Sequence, residues 1–322
     1  MRIAFRKNDG QAEIIRVWSA QERVEVPAQL GDCKVTAIAP YAFSAHKGAE
    51  EEACLWEREE GGQEILRCAE AVCEIHLPET VQTIGNYAFY GCRNMKVFHG
   101  TDRITRMGSG VFTGCRLSRV EIDFYDGDKS CLKEILTDIR YGITAVLRKG
   151  RETEARVIFP EFYADAVENT PARIVETHYY GSGGDYRECF YRRELDFRKY
   201  DSMFVLSAAR DESKVTAELA LARLMYPLKL EDAARENYEA YVREHMEEIA
   251  RICLAHLEHN TELSIAGPME ALRFCCAGRY FSREALDAGI NAASETGQTE
   301  ALSILMDARQ RQFPRKKKTF EL

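Results

Sequence analysis

The chain holds seven histidines and eleven cysteines, the residue types that most often carry metal or nucleophilic chemistry. His256-x-x-His259, with His245 upstream, has helical spacing, and two imidazoles three residues apart share one helix face. A helical zinc site wants i, i+4 spacing, a third ligand and a catalytic glutamate, as in H-E-x-x-H. His-Leu-Glu-His therefore reads as surface histidines near a helix end, where positive charge complements the dipole. The cysteines are odd in number and contain no C-x-x-C pair, which argues against zinc knuckles and against a disulfide framework. Cys275-Cys276 lies beside Leu272 and Phe274, a packing context, and the thiols as a group read as small buried apolar residues. Gly181-Ser-Gly-Gly-Asp185 lacks the Walker lysine, and Ser182 lacks the G-x-S-x-G elbow, so the string reads as a flexible turn. Paired carboxylates occur without a context that would raise a pKa. These residues predict no enzyme, no resident metal and no cofactor.

The elements that would have to position such groups are easier to read, because the first third of the chain repeats. Ile38-Ala-Pro-Tyr-Ala-Phe43, Ile84-Gly-Asn-Tyr-Ala-Phe89 and Met107-Gly-Ser-Gly-Val-Phe112 match one another, and the last two run on into Gly91-Cys92 and Gly114-Cys115. The step from Ile84 to Met107 is 23 residues, and that from Ile38 to Ile84 is 46, twice as long. A second pattern keeps the same phase: Val72-x-x-Ile75-x-Leu77, Met95-x-x-Phe98-x-Gly100 and Leu117-x-x-Val120-x-Ile122. Units of 20–29 residues with this grammar are leucine-rich repeats, each a short strand followed by a turn back to the next layer. No unit buries its apolar face alone, so stacking makes the core, with Phe89 and Phe112 in one interior column and Cys92 and Cys115 under the turn.

Alternation along each strand then picks out a face. Between the inward residues stand Glu74 and His76, one layer on Val97 and His99, and one layer further Arg119 and Glu121. With strands about 4.8 Å apart, His76, His99 and Glu121 should form a ladder on the concave strand face. Two imidazoles that close resist double protonation, while a neighbouring carboxylate favours at least one charge. The six side chains read as a solvated contact patch for a partner rather than as a metal or proton site.

The text Leu77-Pro-Glu-Thr-Val-Gln-Thr-Ile-Gly-Asn-Tyr-Ala-Phe-Tyr-Gly-Cys92 resembles the BspA-like leucine-rich repeats of bacteria, and Val35–Phe43 resembles the same unit. The resemblance covers roughly residues 20–122 and implies a right-handed solenoid with a protein- or surface-binding role. Many such relatives are exported adhesins. Here the opening MRIAFRKNDG places charges where a signal peptide has its apolar centre, so the expectation is an unexported, cytoplasmic chain.

Between Phe43 and Val72, residues 50–64 carry seven acids against one base, either a degenerate repeat or an inserted loop with Gly61-Gly62 at its tip. Beyond Asp123 the repeat pattern stops. Tyr141–Leu147 and Ala155–Phe159 read as a hairpin able to cover the last repeat, and 160–205 as a junction broken by Pro160, Pro171 and the glycine string. The last third has helical periodicity over Val215–Tyr226, Glu231–Glu244, Met246–Glu258, Met269–Ala277, Ser282–Thr296 and Thr299–Gln310. Met246–Leu254, Met269–Cys276 and Thr299–Met306 look alike, and the helix pairs resemble degenerate ankyrin repeats. Six bases between Arg309 and Lys318 form a solvated basic tail.

Composition agrees with a globular chain: 45% hydrophobic and 30% charged residues, with a net charge of −8 over 322 residues. No domain-wide basic footprint for nucleic acid is present and no run is long enough to span a membrane. The expected fold class is α+β: residues 1–125 a leucine-rich repeat solenoid, 126–205 a hairpin and junction, and 206–322 an ankyrin-like helical stack with a basic tail. The expected role is a monomeric, non-catalytic scaffold or adaptor that binds an unknown protein through Glu74, His76, Val97, His99, Arg119 and Glu121. Two other readings are an enzyme or small-ligand binder with a site near Gly181–Arg187, where His178, Asp185 and Arg187 would converge, and a surface adhesin exported without a recognisable signal.

Overall fold

The computed structural model describes residues 1–45, 53–59, 68–150, 153–169, 174–259, 261 and 263–314. The chain divides into two compact units, Met1–Glu154 with Phe159–Tyr200, and Ala155–Ile158 with Asp201–Leu322. Its class is α+β, a β-solenoid of about five turns followed by a helical region.

The solenoid strands in order are β1 (Arg2–Asn8), β2 (Gln11–Trp18), β3 (Arg23–Glu25), β4 (Gln29–Leu30), β5 (Cys33–Ile38), β6 (Cys54–Glu57), β7 (Glu74–His76), β8 (Thr83–Ile84), β9 (Val97–Thr101), β10 (Arg106–Met107), β11 (Arg119–Phe124), β12 (Ile143–Lys149) and β13 (Thr153–Phe159). The short helices α1 (Cys68–Ala71) and α2 (Leu132–Thr137) lie between them. One sheet runs β13-β12-β11-β9-β7-β3, with β3, β7, β9, β11 and β12 mutually parallel. The second runs β10-β8-β5-β2-β1-β6, parallel from β10 to β2, with β1 antiparallel to both its neighbours.

Strands alternate because one side of each faces the interior. Ile75, Leu77, Phe98, Val120 and Ile122 are buried, as are the turn residues Phe43, Phe89 and Phe112. The phenylalanines form the predicted column, with ring centroids 4.9 Å apart for Phe43–Phe89 and 5.3 Å for Phe89–Phe112. Phe98 joins it edge-on to Phe112 at 5.2 Å. The cysteines behind the column are packed thiols that also donate hydrogen bonds one layer away, Cys92 to the Phe43 carbonyl and Cys115 to that of Phe89. The glycine of the Ile-Gly step has a steric reason: a Cβ on Gly85 would sit 2.5 Å from the Pro40 nitrogen of the layer below.

No layer intervenes between β3 and β7 or between β5 and β8. β3 pairs directly with β7 and β5 with β8, and the Phe43 amide donates to the Ala88 carbonyl at 2.9 Å. The 46-residue step is therefore one layer plus an insertion. Of that insertion β6 adds an edge strand to β1, while Gly61-Gly62 and most of the acidic run lie outside the described residues. At the other end the solenoid goes further than its pattern. β12 continues the parallel sheet, pairing Val120 with Ala145 and Ile122 with Leu147. Residues Ile143–Leu147 are buried without interruption, so the outward alternation that marks the other layers is missing here.

After β13 come the antiparallel pair β14 (Tyr163–Asn169) and β15 (Ile174–Tyr180), α3 (Gly183–Arg187), the short pair β16 (Phe190–Tyr191) and β17 (Glu194–Leu195), and α4 (Phe197–Ser202). The helical unit continues with α5 (Phe204–Arg210), α6 (Ser213–Met225), α7 (Asp232–Glu244), α8 (Met246–Glu258), α9 (Pro268–Ala277), α10 (Arg283–Glu295) and α11 (Thr299–Gln312). Pro268 opens α9 at its first position, where the missing N–H costs nothing, and the Ser282 side chain caps α10 by accepting from the Ala285 amide. Every residue from Thr216 to Leu224 is buried, which makes α6 the central helix of its unit. α7, α8 and α9 all pack on it.

Inside that unit is a polar cluster with no local sequence pattern. Arg223 makes a bidentate pair with Asp201, at 2.7 and 3.0 Å, and the Tyr238 hydroxyl donates to the same carboxylate at 2.9 Å. The Arg223 and Asp201 side chains are 0% and 3% exposed.

Candidate binding face on the repeat sheet

Glu74 and His76 lie on β7, Val97 and His99 on β9, and Arg119 and Glu121 on β11. The parallel register sets Glu74 opposite Val97 and Val97 opposite Arg119, and it sets His76 opposite His99 and His99 opposite Glu121. All six are half-buried and alternate with the buried Ile75, Phe98 and Val120, so they share one face of the sheet. The structure thus brings the six residues together in two adjacent columns.

The histidine column is bonded internally. The two rings lie 4.8 Å apart between centroids, tilted by 59°, with Nδ1 facing Nδ1 at 3.1 Å. On the outer edges His76 Nε2 meets the Glu74 carboxylate, and His99 Nε2 meets Asp123 Oδ2 at 2.7 Å. The network continues through arginines. Arg148 donates to Glu121 at 2.7 Å and to Asp123 at 3.5 Å, and Arg119 donates to Glu121 at 2.6 Å. At the other end Arg23 approaches Glu74 at 3.9 Å and pairs with Glu25 at 3.1 Å. Burial pushes the Glu121 carboxyl up, but the Arg148 hydrogen bond and the charges of Arg148 and Arg119 prevail, so it titrates below its ordinary range.

Four members of this network, Arg23, Glu25, Asp123 and Arg148, were not among the residues singled out from the sequence. Asp123 stands two residues after Glu121 in the same alternation, a signal that extending the pattern by one step would have found. Arg148 required knowing that β12 is the next layer.

The junction has a different character. A Cβ on Gly183 would lie 2.0 Å from the Pro160 carbonyl oxygen, and Ser182 is fully buried, so the glycine string is a tightly packed helix start rather than a flexible turn. The Arg187 guanidinium donates to the carbonyls of Ile139, Pro160, Gly183 and Tyr141. Burial lowers its pKa to about 10. Arg187 clamps three segments, residues 139–141, Pro160 and its own helix, through four bonds to backbone carbonyls. The His178 side chain lies outside the described residues.

In the helical unit His256 Nδ1 bonds the Thr261 hydroxyl at 2.8 Å, and His245 stacks on Tyr241. Burial pushes the thiols of Cys131, Cys189 and Cys253 up to about 12 and that of Cys276 to about 11, a range in which thiolate chemistry is suppressed. Arg315–Lys318 of the basic tail lie outside the described residues. No described helix is long and apolar enough to cross a membrane.

Residues 62–136 match the family model described as BspA type leucine-rich repeat region (6 copies). No curated protein matches the chain, and no solved structure does. The matched stretch contains β7, β9 and β11, so the candidate face lies within the similar region. A leucine-rich repeat solenoid is, in general terms, a scaffold for protein interaction.

Proposed function

We propose that this chain is a non-catalytic adaptor that binds another protein through the strand face bearing Glu74, His76, Val97, His99, Arg119 and Glu121. The observation that carries the reading is the continuous bonded network on that face. From Glu74 to Arg148 its side chains keep 15–34% exposure while their orientations are held by neighbours on the same strand and one layer away. A surface of both signs, held in place before contact, loses little conformational freedom on binding and rejects partners of the wrong charge pattern. Val97 adds an apolar point among the charges. The helical unit is proposed to stack as ankyrin-like pairs, α8 with α9 and α10 with α11. Supporting this, α10 packs on α8 and α11 on α9, so like members of successive pairs meet.

The test is site-specific photo-cross-linking in cells, with the reactive group at Val97 on this face or at exposed Arg106 on the second sheet. Position 97 should trap a discrete protein that position 106 does not. Replacing both His76 and His99 by alanine should weaken that trapping while leaving the melting temperature nearly unchanged. Equal yields at both positions, or trapping indifferent to the histidines, would remove this face as the binding surface.

A further inference from the structure

We propose that His76 and His99 form a two-histidine site for a divalent transition-metal ion of the imidazole-preferring kind, zinc or copper(II), with water completing its shell. The sequence predicts no resident metal, and the geometry is what changes the reading.

The protons on the two rings can be counted from their partners. A carboxylate accepts, so His76 Nε2 and His99 Nε2 each carry a proton, donated to Glu74 and Asp123. The Nδ1 atoms face each other at 3.1 Å and are the nitrogens left on each ring to bind an ion. Tetrahedral zinc with Zn–N bonds of about 2.0–2.1 Å spans about 3.3 Å between two ligand nitrogens. The site is within a few tenths of an ångström of that bite, a movement that side-chain torsions supply.

The surroundings are those of a prepared ligand pair. Metal-binding histidines usually donate their second ring N–H to a carboxylate, which fixes the tautomer and raises ligand basicity. Both histidines already do so, through Nε2, leaving Nδ1 as the ligating atom on each. Cross-strand register fixes the spacing of the two backbones, and both rings keep 19% exposure, so hydrated metal has an approach. Among the described residues no three histidine, cysteine, aspartate or glutamate side chains converge on a common point. The protein therefore supplies two ligands, and Glu74 and Asp123 act from behind them. Of the divalent first-row ions, those late in the stability order bind imidazole best, which excludes magnesium and calcium as occupants. Binding leaves both Nε2 protons donated to their carboxylates and engages the two Nδ1 atoms.

The experiment is calorimetric titration of chelator-stripped, full-length protein with Zn2+, in two buffers of different protonation enthalpy, with no partner protein present. Its outcome is thus separate from that of the cross-linking test. Expected is one ion per chain. Either His76→Ala or His99→Ala should weaken binding at least tenfold, and Asp123→Asn, which keeps both imidazoles, by roughly ten- to a hundredfold. The melting curve of each variant is recorded so that loss of fold is not mistaken for loss of ligand. Absence of one-to-one binding, or binding unchanged in the doubly substituted His76 and His99 variant, would overturn the site.

Discussion

The strand face of the solenoid and the interior of the helical unit each hold an arginine–carboxylate network, Arg148 with Glu121 and Asp123 in the first, Arg223 with Asp201 in the second. The bond lengths are alike, near 2.7 Å in both. Access to water separates them. Side chains of the first network keep 15–34% exposure, so water competes for every bond and partners can be exchanged without leaving a bare charge. In the second the exposures are 0% and 3%, and the Tyr238 hydroxyl and two backbone carbonyls complete the coordination. A buried pair of that kind is held by the cost of separating it, and it has no freedom to meet a ligand. The same residue types therefore give a water-accessible, preorganised surface in one unit and a sealed internal tie in the other.

The sharpest way to break this contrast is to remove one carboxylate from each network. Asp201→Ala leaves the Arg223 guanidinium buried without its counter-charge, and the expected loss is about 3–5 kcal/mol of stability. Asp123→Ala exposes its partners to water, and the expected loss is at most about 1 kcal/mol. Urea denaturation followed by circular dichroism measures both. Equal losses would mean that water access does not distinguish the two networks.

If the strand-face charges contribute little, the stability of the solenoid must lie elsewhere, and the aromatic column is where it should be. Phe89 touches Phe43, Phe98 and Phe112 and is wholly buried. Phe89→Ala should cost about 3–5 kcal/mol through the cavity it leaves between layers. A denaturation midpoint that hardly moves would place the weight of the solenoid outside this column.

The same contrast explains which parts of the molecule can be read from the chain. The column and the face follow from period-two alternation repeated at a fixed step, and the helix bounds of α6 to α11 follow from 3.6-residue periodicity, with Pro227 ending one helix, Pro268 opening another and Gly297 separating the last two. Each of those signals is local. Asp201 and Arg223 are 22 residues apart on different helices, and nothing near either residue announces the other. β12 was legible as a strand but not as a further layer, for a different reason: burial on both faces replaced alternation by a continuous apolar run, and the step from Val120 to Ala145 is 25 rather than 23. The insertion at 44–71 was ambiguous because its length happened to double the repeat. Chemistry on the face was only partly legible, since residue types and register were visible but the ring orientations that set Nδ1 against Nδ1 were not.

The gentlest probe of the face removes one charge and keeps the shape of the side chain. Glu121 accepts from Arg119 and Arg148, and its carboxyl titrates lower in the folded chain than its ordinary value of 4.5. The unfolded chain therefore binds the proton more readily, and this carboxylate stabilises the fold fully above that ordinary value. As pH falls through the ordinary value toward the folded one, the contribution disappears. Glu121→Gln keeps the shape and removes the charge, so at neutral pH it should cost about 1–2 kcal/mol, the scale of hydrogen bonds to a charged group. The gap between wild type and variant should close on the acid side and stay constant from pH 6 to 8. A gap that persists unchanged in acid would show that the charge of Glu121 contributes nothing, and that its two arginines are held in place by packing of their stems rather than by the carboxylate between them.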